Sequence, residues 1–464
     1  MARVAAKRTS HRPRRNSSNA TGLIAARHSR FILLIVLLGT VSFLPAATGP
    51  FVFDDVQGIQ HNPSIQQGLS WTVFDPPRNS SVAGRPVVNL TLALNQEINE
   101  ALGIDLRTAA APIGFHLVNI ALHVVTALLL FGVVRRTLEL AQRPTRLEPQ
   151  VFAGLVACLW AAHAIHGSAV NYVIQRSELL VSAFVLATLY AFVRAYQTES
   201  DRARVRWLTV SVVACALGML SKEVMIGAPL IVLLFDRALM SPSWRAIWES
   251  RKRWYYAALL ASSAIVVAFV AAGVRSRSVG ASADMSVFEY LYSQGWAIPR
   301  YLRLLIWPSG LTFDYGDAPV TGWMPGIGLV ILALFAAVVI WAWAKGRFLP
   351  LAPLGATFFI LLAPSSSVVP IHTEIAAERR VYLASATVII LAMLGLDVMM
   401  RRRQQTWSTP WKFAMGALVP SLATTTFLRS TTFASAERLY GDVVQKAPGN
   451  ARGYIGLGLA LFAS

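Results

Sequence analysis

Two adjacent acidic residues, Asp54 and Asp55, follow the first long apolar segment of the chain by a few positions and are flanked by aromatic and small apolar residues. Carboxylates are costly to remove from water, so an acidic pair in such surroundings needs an explanation. One explanation is chemical, because a positioned carboxylate can accept the proton of a hydroxyl nucleophile, which typically speeds a reaction by about 10²–10⁴-fold. The simpler alternative is a solvated turn.

Acidic and basic side chains also stand together near the ends of later apolar segments. These groups are Arg176-Ser177-Glu178, Lys222-Glu223 and Glu378-Arg379-Arg380. Fixed cations can stabilise the charge on a departing phosphate, with Arg giving bidentate contacts and Lys a point charge. The candidate phosphate ligands are Arg176, Lys222 and Arg380, with Arg379 as an alternative. The simpler interpretation is a set of separate ion pairs at helix ends.

Histidines and cysteines give weaker signals. His116, His163 and His166 lie within or at the end of apolar segments, where each could cap or pack a helix or belong to a site. Cys158 and Cys215 lie inside apolar segments without a CxxC motif, which favours simple packing roles. No zinc-type His/Cys spacing occurs, and two adjacent acids holding a divalent cation are the metal site that the pattern leaves open.

Composition places these residues in a membrane protein. The chain has 464 residues, of which 55% are hydrophobic and 14% are charged, and its mean hydropathy is +0.52. Soluble domains carry about 25% charged residues, so this chain cannot cover a water-facing surface. The net charge of +19 would suggest nucleic acid in a soluble protein. Here the basic residues cluster in short loops between apolar segments, which is typical of topology signals instead.

The apolar segments predict an all-α polytopic membrane protein, since a spanning helix needs about 20 apolar residues. About eleven candidate spans can be distinguished: 31–47, 116–134, 151–166, 179–196, 207–221, 224–235, 255–273, 322–344, 348–369, 383–400 and 410–428. Basic clusters occupy residues 1–30 and then alternate loops, which places the amino terminus in the cytoplasm. An odd number of spans then places the carboxyl terminus and the acidic pair outside.

Two segments qualify this topology. Residues 31–47 could also be a cleaved signal peptide ending near Pro45-Ala46-Ala47, with the same orientation downstream. Residues 284–307 alternate aromatic and basic side chains and predict an amphipathic helix in the membrane interface, bent at Pro299. Its simplest role is anchoring, and its functional alternative is to shape a groove for lipid entry.

The motifs resemble the transmembrane and tetratricopeptide-repeat-containing O-mannosyltransferases, a family of the GT-C glycosyltransferase superfamily. The resemblance is collinear over about 50–460. It is carried by Phe53-Asp54-Asp55 with Asn62-Pro63, Arg85-Pro86 with Asn89-Leu90, His116-Leu117-Val118-Asn119 with His123, His163 to Glu178, Leu220 to Glu223, Tyr301 to Leu305, Asp314-Tyr315, and Glu378 to Leu383. Each motif alone is weak, and their order and spacing make the combination fairly specific.

The resemblance implies a transferase that takes a sugar, mannose in most relatives, from a polyprenyl- or dolichyl-phosphate donor and passes it to Ser/Thr hydroxyls of acceptor proteins at the outer or lumenal face. It assigns Asp54 as catalytic base and Asp55 as its acidic neighbour, with inversion at the sugar. The residues expected to orient the cations or bind the sugar are Glu178, Glu223, Glu378, His116, His163, His166, Arg85 and Tyr382. No cofactor and no metal are expected. The membrane would be the plasma membrane of a bacterium, or the endoplasmic reticulum membrane of a eukaryote.

The same resemblance divides the chain. Residues 1–30 form a basic cytoplasmic tail, and residues 31–430 form the transferase domain with a large first outer loop, 48–115, and an interfacial segment, 275–321. Residues 431–464 resemble the opening of a tetratricopeptide repeat, of which at least three are needed to bury a core. Many relatives have Pro at the position of Ala164 and an acid or amide at that of Ser168, which puts one substrate contact in doubt.

Two other classes of function remain open. A transporter or lipid flippase would also hold ionisable residues in its membrane domain, although we find no inverted repeat and the charges lie at helix ends. A non-catalytic scaffold would recruit partners through its carboxyl-terminal repeats, which this sequence nearly lacks.

Overall fold

The computed structural model describes residues 17–463 except 79, 142–144, 250–251, 275–285, 319, 347–350, 367–369, 372 and 404–408. Every regular element in the described residues is helical, and no strand occurs among them. The α-helices are α1 Ser17–Val41, α2 Pro63–Gln66, α3 Pro86–Ala101, α4 Ala111–Ala141, α5 Pro149–Ala161, α6 Gly167–Val170, α7 Arg176–Tyr196, α8 Asp201–Met219, α9 Ala228–Phe235, α10 Trp244–Glu249, α11 Arg253–Ser262, α12 Ala264–Ala271, α13 Val287–Ile306, α14 Met324–Lys345, α15 Leu351–Leu362, α16 Ala384–Arg402, α17 Thr409–Thr431, α18 Ala436–Lys446 and α19 Ala451–Ala463.

Local signals explain where several helices begin and end. Ser286 and Glu289 form a capping box that starts α13, each accepting a hydrogen bond from the other's backbone N–H. Pro325 lies in the first turn of α14, where its missing N–H costs nothing, and Gly346 ends that helix in the left-handed conformation. Short 3-10 and π turns fill the breaks between helices, as at Ala164–His166 and Val56–Gln60.

The predicted all-α membrane fold is confirmed. Five helices of the described residues are long and apolar enough to cross a membrane: Ala111–Ala141, Val173–Tyr196, Arg253–Ala271, Met324–Lys345 and Ala384–Arg402. The pair Pro149–Ala161 and Ala164–Val170, bent by 51°, counts as a sixth if it forms one broken span. Each of the eleven predicted segments coincides with a helix or helix pair, but the number that cross the membrane stays a prediction.

The hydrophobic core has two parts. The larger part lies among α1, α4, α5, α7, α8, α15 and α16 and includes the fully buried rings of Phe152, Trp160 and Phe192. The smaller part lies at the end of the bundle that carries Asp54, which we call the Asp54 end. It joins the first loop, through Phe51 and Val52, to aromatic rings from later segments. This second cluster positions the acidic pair against the rest of the chain.

The predicted interfacial helix and the C-terminal segment both pack at the Asp54 end. Helix α13 spans Val287–Ile306 with Pro299 inside it, burying Tyr290 and Tyr301 while Phe288 stays exposed. Helices α18 and α19 follow α17 directly, and Leu439 and Val443 of α18 are fully buried in the smaller core cluster. The C-terminal helix pair is therefore part of the same body, and its assignment as the start of a tetratricopeptide repeat stays a prediction.

Candidate active site

The two adjacent carboxylates occupy different environments. Asp55 is buried, and its carboxylate accepts hydrogen bonds from the backbone N–H groups of Val52, at 3.1 Å, and Ile174, at 2.7 Å. Burial raises the pKa of Asp55 to about 8, against the lowering effect of these bonds. Asp54 is only half-buried. Asp55 thus anchors the first loop to the turn before α7, and Asp54 is the member of the pair that a substrate can reach.

The backbone around Asp54 is held in an unusual conformation. Phe53 has a φ of +50°, the only positive φ at a non-glycine residue in the described part of the chain. Such a conformation is rare for a bulky residue and persists only where its surroundings impose it. The backbone N–H of Asp54 donates to the hydroxyl of Tyr172 at 2.9 Å. Together these features fix the direction in which the Asp54 carboxylate leaves the loop.

Arg379 connects Tyr172, the hydrogen-bond partner of Asp54, to Glu374. Its guanidinium lies 5.7 Å from the centre of the Tyr172 ring and forms an ion pair with Glu374. Burial alone would lower the pKa of Arg379, but the negative charges of its neighbours, among them Glu374, Asp54 and Glu178, raise it instead. Arg379 therefore stays charged and joins Asp54 to the acids and bases of the later segments.

A second pair of charges comes from the first turn of α7 and from the junction that follows α8. Lys222 contacts Glu178 at 2.5 Å, and both side chains are about nine-tenths buried. Burial lowers the pKa of Lys222 to about 8, partly offset by the charge of Glu178. Beside them Arg85 donates to both carboxylate oxygens of Glu223 at 3.0 and 3.1 Å, and to Ser177 at 3.5 Å. The structure thus brings Asp54, Arg379, Glu178, Lys222, Arg85 and Glu223 to one end of the bundle.

Arg176, predicted as a phosphate ligand, donates its hydrogen bonds to protein groups of α3 and α4. Its side chain is fully buried, and its guanidinium donates to Asn119, Asn95 and the carbonyl oxygens of Thr91 and Phe115, all at 2.9–3.0 Å. A phosphate could reach it only by displacing these bonds. Arg176 therefore ties α3 and α4 to α7 and supports the site from within.

Arg380 and Glu378 are similarly engaged. Arg380 donates to the Tyr290 hydroxyl and to the carbonyl oxygens of Ile375 and Glu374. Glu378 accepts from the backbone N–H of Thr312 and from the Tyr315 hydroxyl, each at 2.8 Å, and burial raises its pKa to about 7. Arg380 thus shapes its own loop and Glu378 holds the segment after α13. Arg379 is the arginine near Tyr172, the partner of Asp54, and which of the two arginines binds phosphate stays a prediction.

The predicted histidines lie in the interior. His116 contacts the carbonyl oxygen of Gly49 at 3.2 Å. His163 caps the break between α5 and α6 by accepting from the backbone N–H of Ile165, and its other nitrogen contacts the carbonyl oxygen of Leu305. His166 contacts Ser385 at 3.0 Å within an aromatic cluster. These contacts match helix capping and packing, the simpler of the two roles predicted for each.

Tyr382 belongs to the same aromatic cluster. Its hydroxyl contacts Nδ1 of His123 at 2.8 Å, and its ring packs edge-on against Trp160 at 4.9 Å between centroids. The structure does not place Tyr382 on the surface around Asp54, although its loop adjoins Arg379.

Sequence reasoning did not name Tyr172 and assigned no role in this site to Phe53 or Glu374. Tyr172 lies inside the segment from His163 to Glu178 that the motifs single out, and an aromatic hydroxyl next to a helix break is a weak signal. The conformation of Phe53 has no signal in the sequence, because phenylalanine rarely adopts a positive φ.

Within the described residues no group of three His, Cys, Asp or Glu side chains is placed to hold a metal ion. Asp55, the second carboxylate of the pair, is already occupied by two backbone N–H groups. The expectation of a site without metal or cofactor stays a prediction.

These observations define a helical, multi-spanning membrane protein with a charged site at one end of its bundle. Residues 111–271 match the family model described as dolichyl-phosphate-mannose-protein mannosyltransferase. The mouse (Mus musculus) protein O-mannosyl-transferase TMTC4 is 23% identical over 92% of this chain and 63% of its own length. Tmtc3 of Drosophila melanogaster is 24% identical over 88% of this chain and 50% of its own length. The chain is thus similar to the TMTC-type protein O-mannosyltransferases, as the motifs predicted.

The chain spans less than two thirds of the length of these relatives. Among solved structures, ArnT from Cupriavidus metallidurans bound to undecaprenyl phosphate is similar with a TM-score of 0.47 and 14% identity, covering 95% of this chain and 77% of that one. The Archaeoglobus fulgidus oligosaccharyltransferase is similar with a TM-score of 0.42 and 11% identity, covering 88% of this chain and 55% of that one.

Proposed function

We propose that this chain transfers a sugar, mannose by analogy with its relatives, from a polyprenyl-phosphate donor to Ser or Thr hydroxyls of proteins. The observation that carries the proposal is the half-buried Asp54 carboxylate at the end of a membrane bundle, held through Tyr172, whose ring centre lies 5.7 Å from the Arg379 guanidinium. A base beside a cation at membrane depth suits a reaction between a hydroxyl and a lipid phosphate. The names of the relatives support the same chemistry.

In this mechanism Asp54 accepts the proton of the acceptor hydroxyl while the hydroxyl oxygen forms a bond to C1 of the sugar. The bond from C1 to the phosphate oxygen breaks on the opposite face, so the configuration inverts. The polyprenyl phosphate leaves with its bonding electrons. A phosphate is a good leaving group, so the step needs a base for the weak nucleophile more than it needs a general acid.

The departing phosphate is the place where charge develops, and fixed cations stabilise it most. Arg379 and Lys222 are the cations we assign to it, because Lys222 pairs with Glu178 and the negative charges of Glu178 and Asp54 both raise the pKa of Arg379. Glu374 and Glu178 hold these two cations in place. Arg85 and Glu223 flank them and would contact the sugar hydroxyls.

The broken span between α5 and α6 favours a second candidate, a transporter or lipid flippase, because transporters often use discontinuous helices. Protein groups fill this break, however. Thr426 donates to the carbonyl oxygen of Ala162 at 2.6 Å, and His123 contacts that of Ala161 at 3.0 Å. His163 accepts from the backbone N–H of Ile165. Irregular backbone that is satisfied by protein need not line a water-filled path.

The test uses the full chain in lipid nanodiscs and in sealed vesicles with radiolabelled polyprenyl-phosphate mannose and Ser/Thr-rich peptides. We expect a covalent gain of one hexose on the peptide, inversion of the anomeric configuration, and release of polyprenyl phosphate. Movement of the lipid between the leaflets of the vesicles without any covalent product would contradict the proposal and support the transporter.

A further inference from the structure

The C-terminal helix pair, α18 and α19, reaches the loop that carries Asp54 through one arginine. Arg452, in the first turn of α19, donates from Nη2 to the carboxylate of Asp314 at 2.7 Å. Its other terminal nitrogen donates to the carbonyl oxygen of Thr373, and its guanidinium lies 5.7 Å from the centre of the Phe53 ring. A single side chain thus bridges the first loop, the segment after α13 and the segment before Glu378.

The contacts of Arg452 are of the kinds that hold a fixed geometry. The ion pair with Asp314 is partly shielded, with one quarter of the Arg452 side chain and 11% of the Asp314 side chain exposed. Charge-assisted bonds of this type are stronger than neutral ones, and the planar guanidinium can also stack against an aromatic face. Lysine could keep one of these contacts but not all three, since its single ammonium group lacks the planar, multi-donor geometry of a guanidinium.

The rest of the helix pair is anchored to the same loops. Lys446 donates to the carbonyl oxygen of Leu311 at 2.7 Å, and Asn450 donates to that of Asp314 at 3.3 Å. The apolar face of α18 is buried through Leu439 and Val443 in the cluster that contains Phe51 and Val52. Arg452 therefore belongs to a helix pair that is anchored to the rest of the fold.

Phe53 connects Arg452 to the proposed base. Its backbone has the positive φ described above. Its ring lies near the Arg452 guanidinium and also packs edge-on with the Phe313 ring, at 6.3 Å between centroids. A phenylalanine keeps such a backbone only if its neighbours hold it there. The next residue is Asp54, so any rotation at Phe53 moves the carboxylate directly.

We propose that Arg452 is a positioning residue of the transferase site, holding Phe53 in its strained conformation and so fixing Asp54 against the acceptor hydroxyl. This inference rests on the proposed function. It makes the C-terminal helix pair a support of the active site, in addition to any role that the pair has in binding partners.

The test compares Arg452→Ala, Arg452→Lys and Arg438→Ala in the full chain in nanodiscs, with polyprenyl-phosphate mannose and a Ser/Thr peptide. Arg438 is an exposed arginine of α18 and is the matched control. Small misplacements of a reacting group cost up to about 10²-fold in rate, so we expect Arg452→Ala to lower kcat roughly 10- to 100-fold. The donor KM stays near wild type, Arg452→Lys recovers part of kcat, and Arg438→Ala matches wild type.

Two results would overturn this role. One is a kcat for Arg452→Ala within twofold of wild type. The other is a parallel loss of kcat, donor affinity and thermal stability, which would make Arg452 a general structural residue.

Asp54→Asn, measured alongside, separates the two proposals. If it abolishes transfer while Arg452→Ala is normal, only the positioning role fails. If Asp54→Asn stays active, the assignment of the base fails and the positioning role fails with it.

Discussion

At the scale of single residues, neighbours in the sequence differ in what the fold allows them to do. Asp54 and Asp55 are equivalent as a sequence pattern, yet Asp55 is enclosed by two backbone N–H groups and Asp54 is half-exposed. Arg379 and Arg380 divide in the same way: the first contacts the Tyr172 ring beside Asp54, and the second binds the backbone of its own loop. Which member of a pair can act is decided by tertiary contacts, which the sequence alone does not contain.

Protonation of Lys222 should make the KM for the polyprenyl-phosphate donor depend on pH. Burial lowers its pKa to about 8, so its protonated, phosphate-binding form is lost as pH rises through 8. The KM for the polyprenyl-phosphate donor should then rise above pH 8, approaching tenfold per pH unit if only the protonated form binds (~1.4 kcal/mol per unit). Lys222→Arg keeps its charge, so its donor KM should stay flat to at least pH 9. Identical pH profiles for the wild type and this variant would remove Lys222 from the phosphate site.

At the scale of elements, hydropathy predicted where the helices lie but not how they are interrupted. The segment 151–166 was expected to be one span, and the chain instead breaks after Ala161 with a bend of 51° before α6. Thr426 and His123 satisfy the freed carbonyl oxygens of Ala162 and Ala161, and both side chains are distant from the break in the sequence. Hydropathy averages over such a break, because the residues on both sides of it are apolar.

The junction between α8 and α9 gives a prediction about stability. Glu178 and Lys222 form a pair with side chains only 8% and 10% exposed, whereas Glu223, the partner of Arg85, is 36% exposed. Removing one partner of a buried pair leaves an uncompensated charge, so Glu178→Gln should cost about 3 kcal/mol of unfolding free energy. Glu223→Gln should cost less than about 1 kcal/mol.

Thermal unfolding of both variants in the same detergent, in parallel with wild type, measures this difference. Equal losses would mean that the Glu178–Lys222 pair is better solvated than the packing around it indicates.

At the scale of the whole molecule, the site is assembled from segments that are far apart in the chain. The first loop, the start of α7, the α8–α9 junction and the segment before α16 all converge at the Asp54 end. The sequence allowed this convergence to be predicted, because charged groups after alternate spans must lie on one side of a membrane. It did not reveal that Arg176 would be enclosed by α3 and α4, or that α19 would reach Asp54 through Arg452 and Phe53, because neither contact has a local pattern.

The predicted orientation can be tested with single cysteines. Cys158 and Cys215 are both buried, which keeps background labelling low. We expect Ser70→Cys, exposed in the first loop, to react with a membrane-impermeant maleimide in intact cells or sealed lumen-out vesicles, and Glu199→Cys, exposed between α7 and α8, to react only after permeabilisation. The reverse pattern would place Asp54 in the cytoplasm and exclude an outer-face reaction.

The central claim is that Asp54 is the base of a sugar transfer, and the most direct measurement is the transfer rate of Asp54→Asn in purified full-length protein. Asp75→Asn is the matched control, since Asp75 is an exposed acid of the same loop. We predict that Asp54→Asn lowers kcat by at least about 10²-fold, the usual contribution of a general base, with donor KM and thermal stability near wild type. Asp75→Asn should transfer at the wild-type rate. An Asp54→Asn protein that retains most of its transfer activity would contradict the mechanism.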